Sequence, residues 1–342
     1  MHKCSLRLAG KFRLEPSDYV FLSLECAYIE ITWEGILSHQ RTIQKIAACE
    51  GIGLHTGQPV RMSLRPAPAN SGVVFRRIDL RDAPTIEAQP ANIIDVHHAT
   101  SIGKNGVKVR TIEHLMATFA GMGLDNVLVE LDGEEVPVMD GSAAPFVELI
   151  RRAGLRRQMA PRTYLKVKKR LVVEDERRSI QIVPSERLQV IYTMRFDHPL
   201  LGEQSVAFDL SRETFVREIA SCRTYGFVKD VEELRRRNLA LGGSFDNAVV
   251  IGEAGVLNGD LRFRDELVRH KVLDLLGDLY LLGRPVVGTV IAHNAGHLLH
   301  TRLVQEIQRH LDLQQVAPAR NSVIERWARP LLQPGRPLKV PS

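Results

Sequence analysis

The sequence predicts a mixed α+β fold in two halves of similar make-up, on three observations. Its 342 residues are the length of two ordinary domains. Each half combines several short β-rich runs with two principal helical stretches. Asp125-Asn126-Val127-Leu128-Val129 in the first half is echoed by Asp246-Asn247-Ala248-Val249-Val250 in the second, a hint of duplication.

Residues 1–38 show no clean period and are expected to form an N-terminal extension outside the main fold. Glycine-rich turn chemistry begins at Glu50-Gly51-Ile52-Gly53, followed by strands at Val60–Leu64, Val73–Arg76 and Val107–Arg110. Thr111–Met122 reads as a helix with Thr111 as N-cap, stopped by Gly121 and Gly123. Val127–Leu131 is a buried strand, and Ala144–Ala153 an amphipathic helix ended by Gly154. Gln158-Met159-Ala160-Pro161-Arg162 reads as a boundary, giving domains at 39–160 and 161–312. Beyond it, Tyr164–Val173, Arg178–Val183 and Gln189–Met194 alternate as strands, and Arg212–Ile219 and Val231–Arg237 are helical. A strand at Ala248–Ile251, a long helix at Leu267–Leu282, a strand at Val286–His293 and a helix from Gly296 to about His310 follow. Residues 313–342 form a tail, rich in Pro and Arg from Val316 and expected to fray.

Composition narrows the class. Hydrophobic residues at 44% and charged residues at 25% suit a soluble globular chain large enough to need no disulfide staples. Cys4, Cys26, Cys49 and Cys222 lack any Cys-x-x-Cys spacing and fit free thiols in a reducing compartment. No apolar run is long enough to cross a bilayer, and Tyr19–Trp33 is interrupted by Glu25 and Glu30. A cytoplasmic location is therefore expected. The net charge of +6 favours anionic partners. The basic runs, Arg235-Arg236-Arg237 among them, read singly as solvated helix faces and strand ends. They lack interleaved aromatic residues, which counts against a nucleic-acid binder.

Three segments could carry chemistry. In His270-Lys271-Val272-Leu273-Asp274-Leu275-Leu276-Gly277-Asp278, helical spacing stacks His270, Asp274 and Asp278 on one face. His270 and Asp274 can then reach one metal ion, although an ordinary i, i+4 ion pair worth about 0.2–0.5 kcal/mol has the same pattern. Glu113-His114 at a helix start offers a ligand beside a base; Ala117 excludes the His-Glu-x-x-His metalloprotease pattern. Gly296-His297-Leu298-Leu299-His300 offers a general acid at a strand-to-helix junction, with Asp278 to orient it, or simply an exposed helix start. Together they supply what none supplies alone. His114, His270 and Asp274 make a three-ligand site, Glu113 a base, His297 an acid, Thr224 a hydroxyl and Lys271 a cation.

These segments, with Gly51–Gly57, Val136–Phe146, Arg223–Phe227 and Leu241–Ala248, resemble the UDP-3-O-acyl-N-acetylglucosamine deacetylase family in family order over roughly residues 39–310. That family catalyses the committed step of lipid A biosynthesis in Gram-negative bacteria. The resemblance implies two similar domains, each a two-layer sandwich of β-sheet and helices, with Zn2+ at their junction. It implies zinc-dependent hydrolysis of the acetamide of UDP-3-O-[(3R)-3-hydroxyacyl]-N-acetylglucosamine. His114, His270 and Asp274 would bind zinc, Glu113 would be the base, and His297 the acid or cationic stabiliser held by Asp278. Thr224 would hydrogen-bond the oxyanion and Lys271 contact substrate near the metal. Val228, Val231, Ala240, Phe245 and Val250 would line an apolar passage for the acyl chain. Phe227 would contact the nucleotide-sugar end, and His55 would lie near the glucosamine. The chain would act as a monomer without nucleic acid, with at most transient contact with the inner-membrane surface. Family members begin near His39-Gln40-Arg41-Thr42, so residues 1–38 have no counterpart. Two rivals remain at this stage: a zinc amidohydrolase for a different N-acyl sugar, and an inactive structural dimer.

Overall fold

The computed structural model describes residues 38–310 and the backbone of Gln315–Val316. The expectations for the N-terminal extension and for the tail after Val316, with Cys4 and Cys26, lie outside the described residues.

The first half runs β1 (His39–Ile43), β2 (Ala47–Ile52), β3 (Pro59–Pro66), β4 (Val73–Arg77), β5 (Thr85–Glu87), β6 (Ile93–Asp95), β7 (Ser101–Lys104), β8 (Val107–Val109), α1 (Glu113–Met122), β9 (Val127–Leu131), α2 (Ala144–Ala153) and β10 (Leu155–Pro161). Its main sheet has the order β2-β3-β9-β4-β5. The central strand β9 pairs antiparallel with β3 and parallel with β4, setting Leu64, Val129 and Phe75 in one buried row. Alternation puts Val60, Met62 and Leu64 of β3 on that inner face. In α2, Phe146, Val147, Ile150 and Ala153 recur at helical spacing and are the buried residues. Gly154, at φ 71°, then ends the helix in a conformation that suits glycine.

The second half runs β11 (Tyr164–Lys166), β12 (Leu171–Asp175), β13 (Arg178–Val183), β14 (Leu188–Arg195), β15 (Glu203–Asp209), β16 (Tyr225–Phe227), α3 (Val228–Arg236), β17 (Val249–Gly252), β18 (Gly255–Val256), α4 (Glu266–Tyr280), β19 (Val286–His293), α5 (His297–Arg309) and β20 (Gln315–Val316). Its central strand β19 again pairs antiparallel with one strand, β13, and parallel with another, β14, while its first residues also pair parallel with the short β11. Ile182, Val290 and Val190 form the buried row. In both halves the parallel pair is joined through a long helix, α1 between β4 and β9 and α4 between β14 and β19, and a second helix follows. The halves are thus similar α+β units. The crossover helices α1 and α4 pack against each other, burying both so fully that α4 has no solvent-facing stripe.

Several expectations are corrected. The echo does not mark equivalent strands: Val127 opens the central β9, whereas Val249 opens β17 of a small separate sheet, β16-β17-β18. Thr111 is not an N-cap. The residue before α1 is Ile112, with no side-chain cap, and Thr111, at φ 56°, gives its hydroxyl to Glu135 Oε1 at 2.7 Å. Tyr164–Val173 is two strands interrupted at 167–170. Arg212–Ile219 begins as a helical turn and opens into a wide π-turn closed by Ala220 N donating to Phe215 O at 2.8 Å. The run Arg235–Arg237 ends α3, where Arg236 and Arg237 pair with Glu233, the solvated-face reading. Among the described residues no helix is long and apolar enough to cross a membrane, and Cys49 and Cys222 are free thiols.

Candidate metal centre and its surroundings

Glu113 and His114 are the first two residues of α1 and are 3% and 4% exposed. The backbone bond from Ile112 N to Thr100 O, 3.1 Å, fixes the entry to the helix. Glu113 Oε2 accepts from Thr100 N at 3.0 Å. Burial raises the Glu113 pKa, with His297 and His114 opposing. A carboxylate poised in this way suits proton transfer.

His270 and Asp274 lie one turn apart on α4, both 2% exposed. His270 Nδ1 donates to Cys222 O at 3.0 Å, which leaves Nε2 as the ring's free lone pair. Burial depresses the His270 pKa to about 4, so the ring is neutral, the form that binds a metal. Asp274 Oδ1 lies 3.3 Å from His270 Nε2 and 3.6 Å from His114 Nε2. The two imidazoles meet edge to face with centroids 4.9 Å apart. Ligand atoms about 2.1 Å from one tetrahedral zinc would be about 3.4 Å apart, so these separations fit one shared ion. The other Asp274 oxygen accepts from Lys271 Nζ at 2.8 Å. Burial works against the Asp274 charge, but Lys271 and His270 hold its pKa well below the carboxylate range.

A second cluster adjoins the first. Asp278 Oδ2 accepts from His297 Nδ1 at 2.8 Å and His300 Nδ1 at 2.9 Å, and Oδ1 accepts from Thr100 Oγ1 at 2.6 Å. These distances are hydrogen-bond lengths, too short for ligands sharing one tetrahedral ion. Burial disfavours a charged His297, yet the Asp278 carboxylate, with Asp274 and Glu113 behind it, pushes its pKa up to about 9. Burial likewise opposes the Asp278 charge, and His297 and His300 bring its pKa down to about 2. His297 Nε2 stands 3.8 Å from Asp274 Oδ2, facing the first cluster. The reading of these histidines as exposed helix-start residues is ruled out: His297 is 9% exposed and His300 wholly buried.

Thr224 precedes β16 and is held at its backbone, N to Gly141 O and O from Val249 N, both 2.8 Å. Next to it, the Tyr225 ring meets His270 edge-on at 6.2 Å and lies under Lys271 Nζ at 5.6 Å. Phe227 ends β16, Val228 and Val231 lie on α3, Val250 on β17, and Ala240 and Phe245 on the loop between. Val228 and Phe245 are exposed, and the other four are partly covered. His55 is buried. Its Nδ1 accepts from Ala240 N at 3.3 Å, tying it to that loop, so in the neutral ring the proton sits on Nε2. Burial lowers the His55 pKa, consistent with a neutral ring. Nε2 is buried with no hydrogen-bond partner among the described residues, a donor left for a ligand.

Sequence reasoning missed four participants: Thr100, Glu135, Tyr192 and the Cys222 carbonyl. Glu135 accepts from His55 N, Thr56 N, Thr56 Oγ1 and Thr111 Oγ1, joining the His55 loop to the segment that enters α1. Burial opposes its ionisation, but these donors lower its pKa. The local signal was an acidic pair, Glu134-Glu135, just before the apolar Val136-Pro137-Val138.

Comparison with known proteins adds the chemical context. The family model for UDP-3-O-acyl N-acetylglycosamine deacetylase matches residues 40–309. The UDP-3-O-acyl-N-acetylglucosamine deacetylase of Myxococcus xanthus is 46% identical over 288 residues, 84% of this chain and 92% of that protein. The enzyme of the same name from Acidithiobacillus ferrooxidans is 48% identical over 271 residues, covering 78% and 89%. That from Alcanivorax borkumensis is 44% identical over 280 residues, covering 81% and 92%.

Proposed function

The chain belongs to the UDP-3-O-acyl N-acetylglycosamine deacetylase family, and on that premise we propose that His114, His270 and Asp274 hold a zinc ion at which this deacetylation takes place. The reaction is hydrolysis of the acetamide of UDP-3-O-acyl-N-acetylglucosamine to the free amine and acetate, a step of lipid A biosynthesis. The observation that carries the site assignment is the convergence of three buried ligand atoms within 4.8 Å, with Glu113 and His297 beside them.

When bound, zinc supplies Lewis acidity, which allows water to act as a nucleophile near neutral pH and draws charge from the acetamide carbonyl. Glu113, whose burial favours the protonated form, takes the proton of the attacking water. Thr224, between Cys222 and Tyr225, which both touch His270, gives its hydroxyl to the oxygen that gains charge. His297 enters protonated, held through Nδ1 by Asp278, so a proton at Nε2 is available to the departing amine. Lys271 sits on the metal side of the site through its bond to Asp274 and reaches the substrate near the metal.

The unpartnered Nε2–H of His55 supports contact with the glucosamine hydroxyls. Phe227 supports the nucleotide-sugar end, and the partly exposed Val228, Val231, Ala240, Phe245 and Val250 on one unit support an acyl passage. Among the described residues every strand pairing stays within 39–161 or within 164–316, in keeping with domains divided near residue 160. The full ligand set comes from one chain, which supports a monomer. Free Cys49 and Cys222 and a nucleotide-sugar substrate support a cytoplasmic enzyme, touching the inner membrane at most transiently.

The test is a deacetylase assay with UDP-3-O-acyl-N-acetylglucosamine of defined acyl lengths and with the unacylated UDP-sugar, before and after chelation and zinc return. Turnover that requires both the acyl chain and zinc is expected. Turnover that survives chelation would reject the metal assignment. Equal turnover of the unacylated sugar would reject the acyl passage.

A further inference from the structure

The mechanism uses His297 and Asp278 but leaves His300 and Tyr192 without a part. His300 lies one turn beyond His297 on α5, wholly buried, and its Nδ1 meets the same Asp278 oxygen at 2.9 Å. Its Nε2 lies 2.9 Å from the hydroxyl of Tyr192. Tyr192 is on β14, in register with Ala292 of β19, and its ring is buried in the core. The same hydroxyl is 2.8 Å from the carbonyl of Ala295, the residue that opens the His297 turn.

The Asp278 side of the ring is fixed by its partner. Nδ1 faces a carboxylate oxygen, so it must carry hydrogen; a bare Nδ1 would set two acceptors against each other at 2.9 Å. At the other edge of the ring, Tyr192 has one proton and two groups in reach, Ala295 O and His300 Nε2, and its hydroxyl braces the imidazole against the Ala295 turn. On the other side, Asp278 takes donors on both oxygens from two separate elements: Thr100 ahead of β7, and His297 and His300 of α5. A carboxylate with a single partner can turn about its last torsion; one held by three donors on two oxygens cannot.

We propose that His300, its ring braced by the Tyr192 hydroxyl, is a positioning residue for the deacetylation: its Nδ1–H fixes the Asp278 oxygen against which His297 is aligned. This rests on the assignment of His297 above. It assigns His300 no contact with substrate or metal.

The experiment compares kcat, KM and metal content in His300→Leu, His300→Asn, Tyr192→Phe and His297→Ala, all as full-length protein loaded with zinc. His300→Leu removes the donor and should lower kcat by about 10- to 100-fold, the usual effect of losing an outer-shell partner, with KM and metal content close to those of the parent. His300→Asn sets an amide N–H about where Nδ1–H stands and should recover most of that loss. Tyr192→Phe keeps the ring in the core but removes the hydroxyl that braces His300, and should lower kcat less, again without moving KM. Parental kcat in His300→Leu, or equal impairment in His300→Leu and His300→Asn, overturns the proposal. Should the leucine variant not fold, parental kcat in Tyr192→Phe overturns it instead. If His297→Ala itself keeps its turnover, the assignment of His297 has failed. A dead His297→Ala beside an unimpaired His300→Leu rejects the role of His300 alone.

Discussion

Gly277 lies directly against the backbone of Glu113: a Cβ at 277 would come within 2.0 Å of the Glu113 carbonyl oxygen. This close approach lets α1 seat Glu113 and His114 against the face of α4 that carries His270, Asp274 and Asp278. Glycine is required there by space alone, since its backbone is helical.

Gly277→Ala should therefore push the two helices apart. Overpacking of this kind costs about 1–3 kcal/mol. A lower melting temperature with weaker zinc binding is expected, measured by thermal unfolding and metal titration. Parental values for both would show that the crossing has slack.

His270→Ala removes a proposed metal ligand whose ring is already neutral and aimed by Cys222 O. Zinc content and deacetylation should both fall, by more than the roughly 10- to 100-fold that loss of an outer partner causes. Metal analysis and turnover of the same preparation decide it; full occupancy with normal turnover would remove His270 from the ligand set.

Glu113→Gln should leave zinc in place and cut turnover by about 10²- to 10⁴-fold, the range expected for a general base. Glu113 takes part in no ligand contact, so a metal-free Glu113→Gln protein would contradict its role as base.

Glu266 gives an acid-stability prediction. Its side chain is fully buried and accepts from Arg223 N, Nε and Nη2 and from Arg262 N. Burial opposes its charge, but Arg223 and the backbone donors lower its pKa below the ordinary glutamate value. A group depressed in the folded state adds stability above its unfolded pKa, near 4.3, and loses it as pH falls through the folded value. Glu266→Ala leaves Arg223 without its partner and should cost about 3–5 kcal/mol near neutral pH. Below about pH 4 the difference from the parent should shrink. Chemical denaturation across pH measures this; a constant difference would mean that Glu266 is not ionised in the fold. The same substitution loosens the segment between Cys222 O and Thr224, so zinc affinity should drop with it.

Much of this protein is written locally in its sequence. Val127–Leu131, Arg178–Val183, Val286–His293 and Ala144–Ala153 have the bounds their patterns predict, because a strand or helix with one buried face shows its period in the residues. The polar strands β10 and β15 escaped because little of either is buried: the covered side of β15 runs Gln204, Val206, Phe208, with only Val206 buried, too mixed to show as an apolar period.

At the site, spacing alone stacked His270, Asp274 and Asp278, and the ordered motifs pointed to the family. Spacing could not say whether His270 and Asp274 form a surface ion pair or half a metal site. That depends on His114 arriving from α1 and on both helices being sealed from water, which removes the solvent that makes an exposed pair weak. The parts of Tyr192 and Glu135, and the bond from His300 to Asp278, were invisible for a related reason. A buried side chain's tautomer, charge and orientation are set by the donors and acceptors facing it, and here those come from distant parts of the chain.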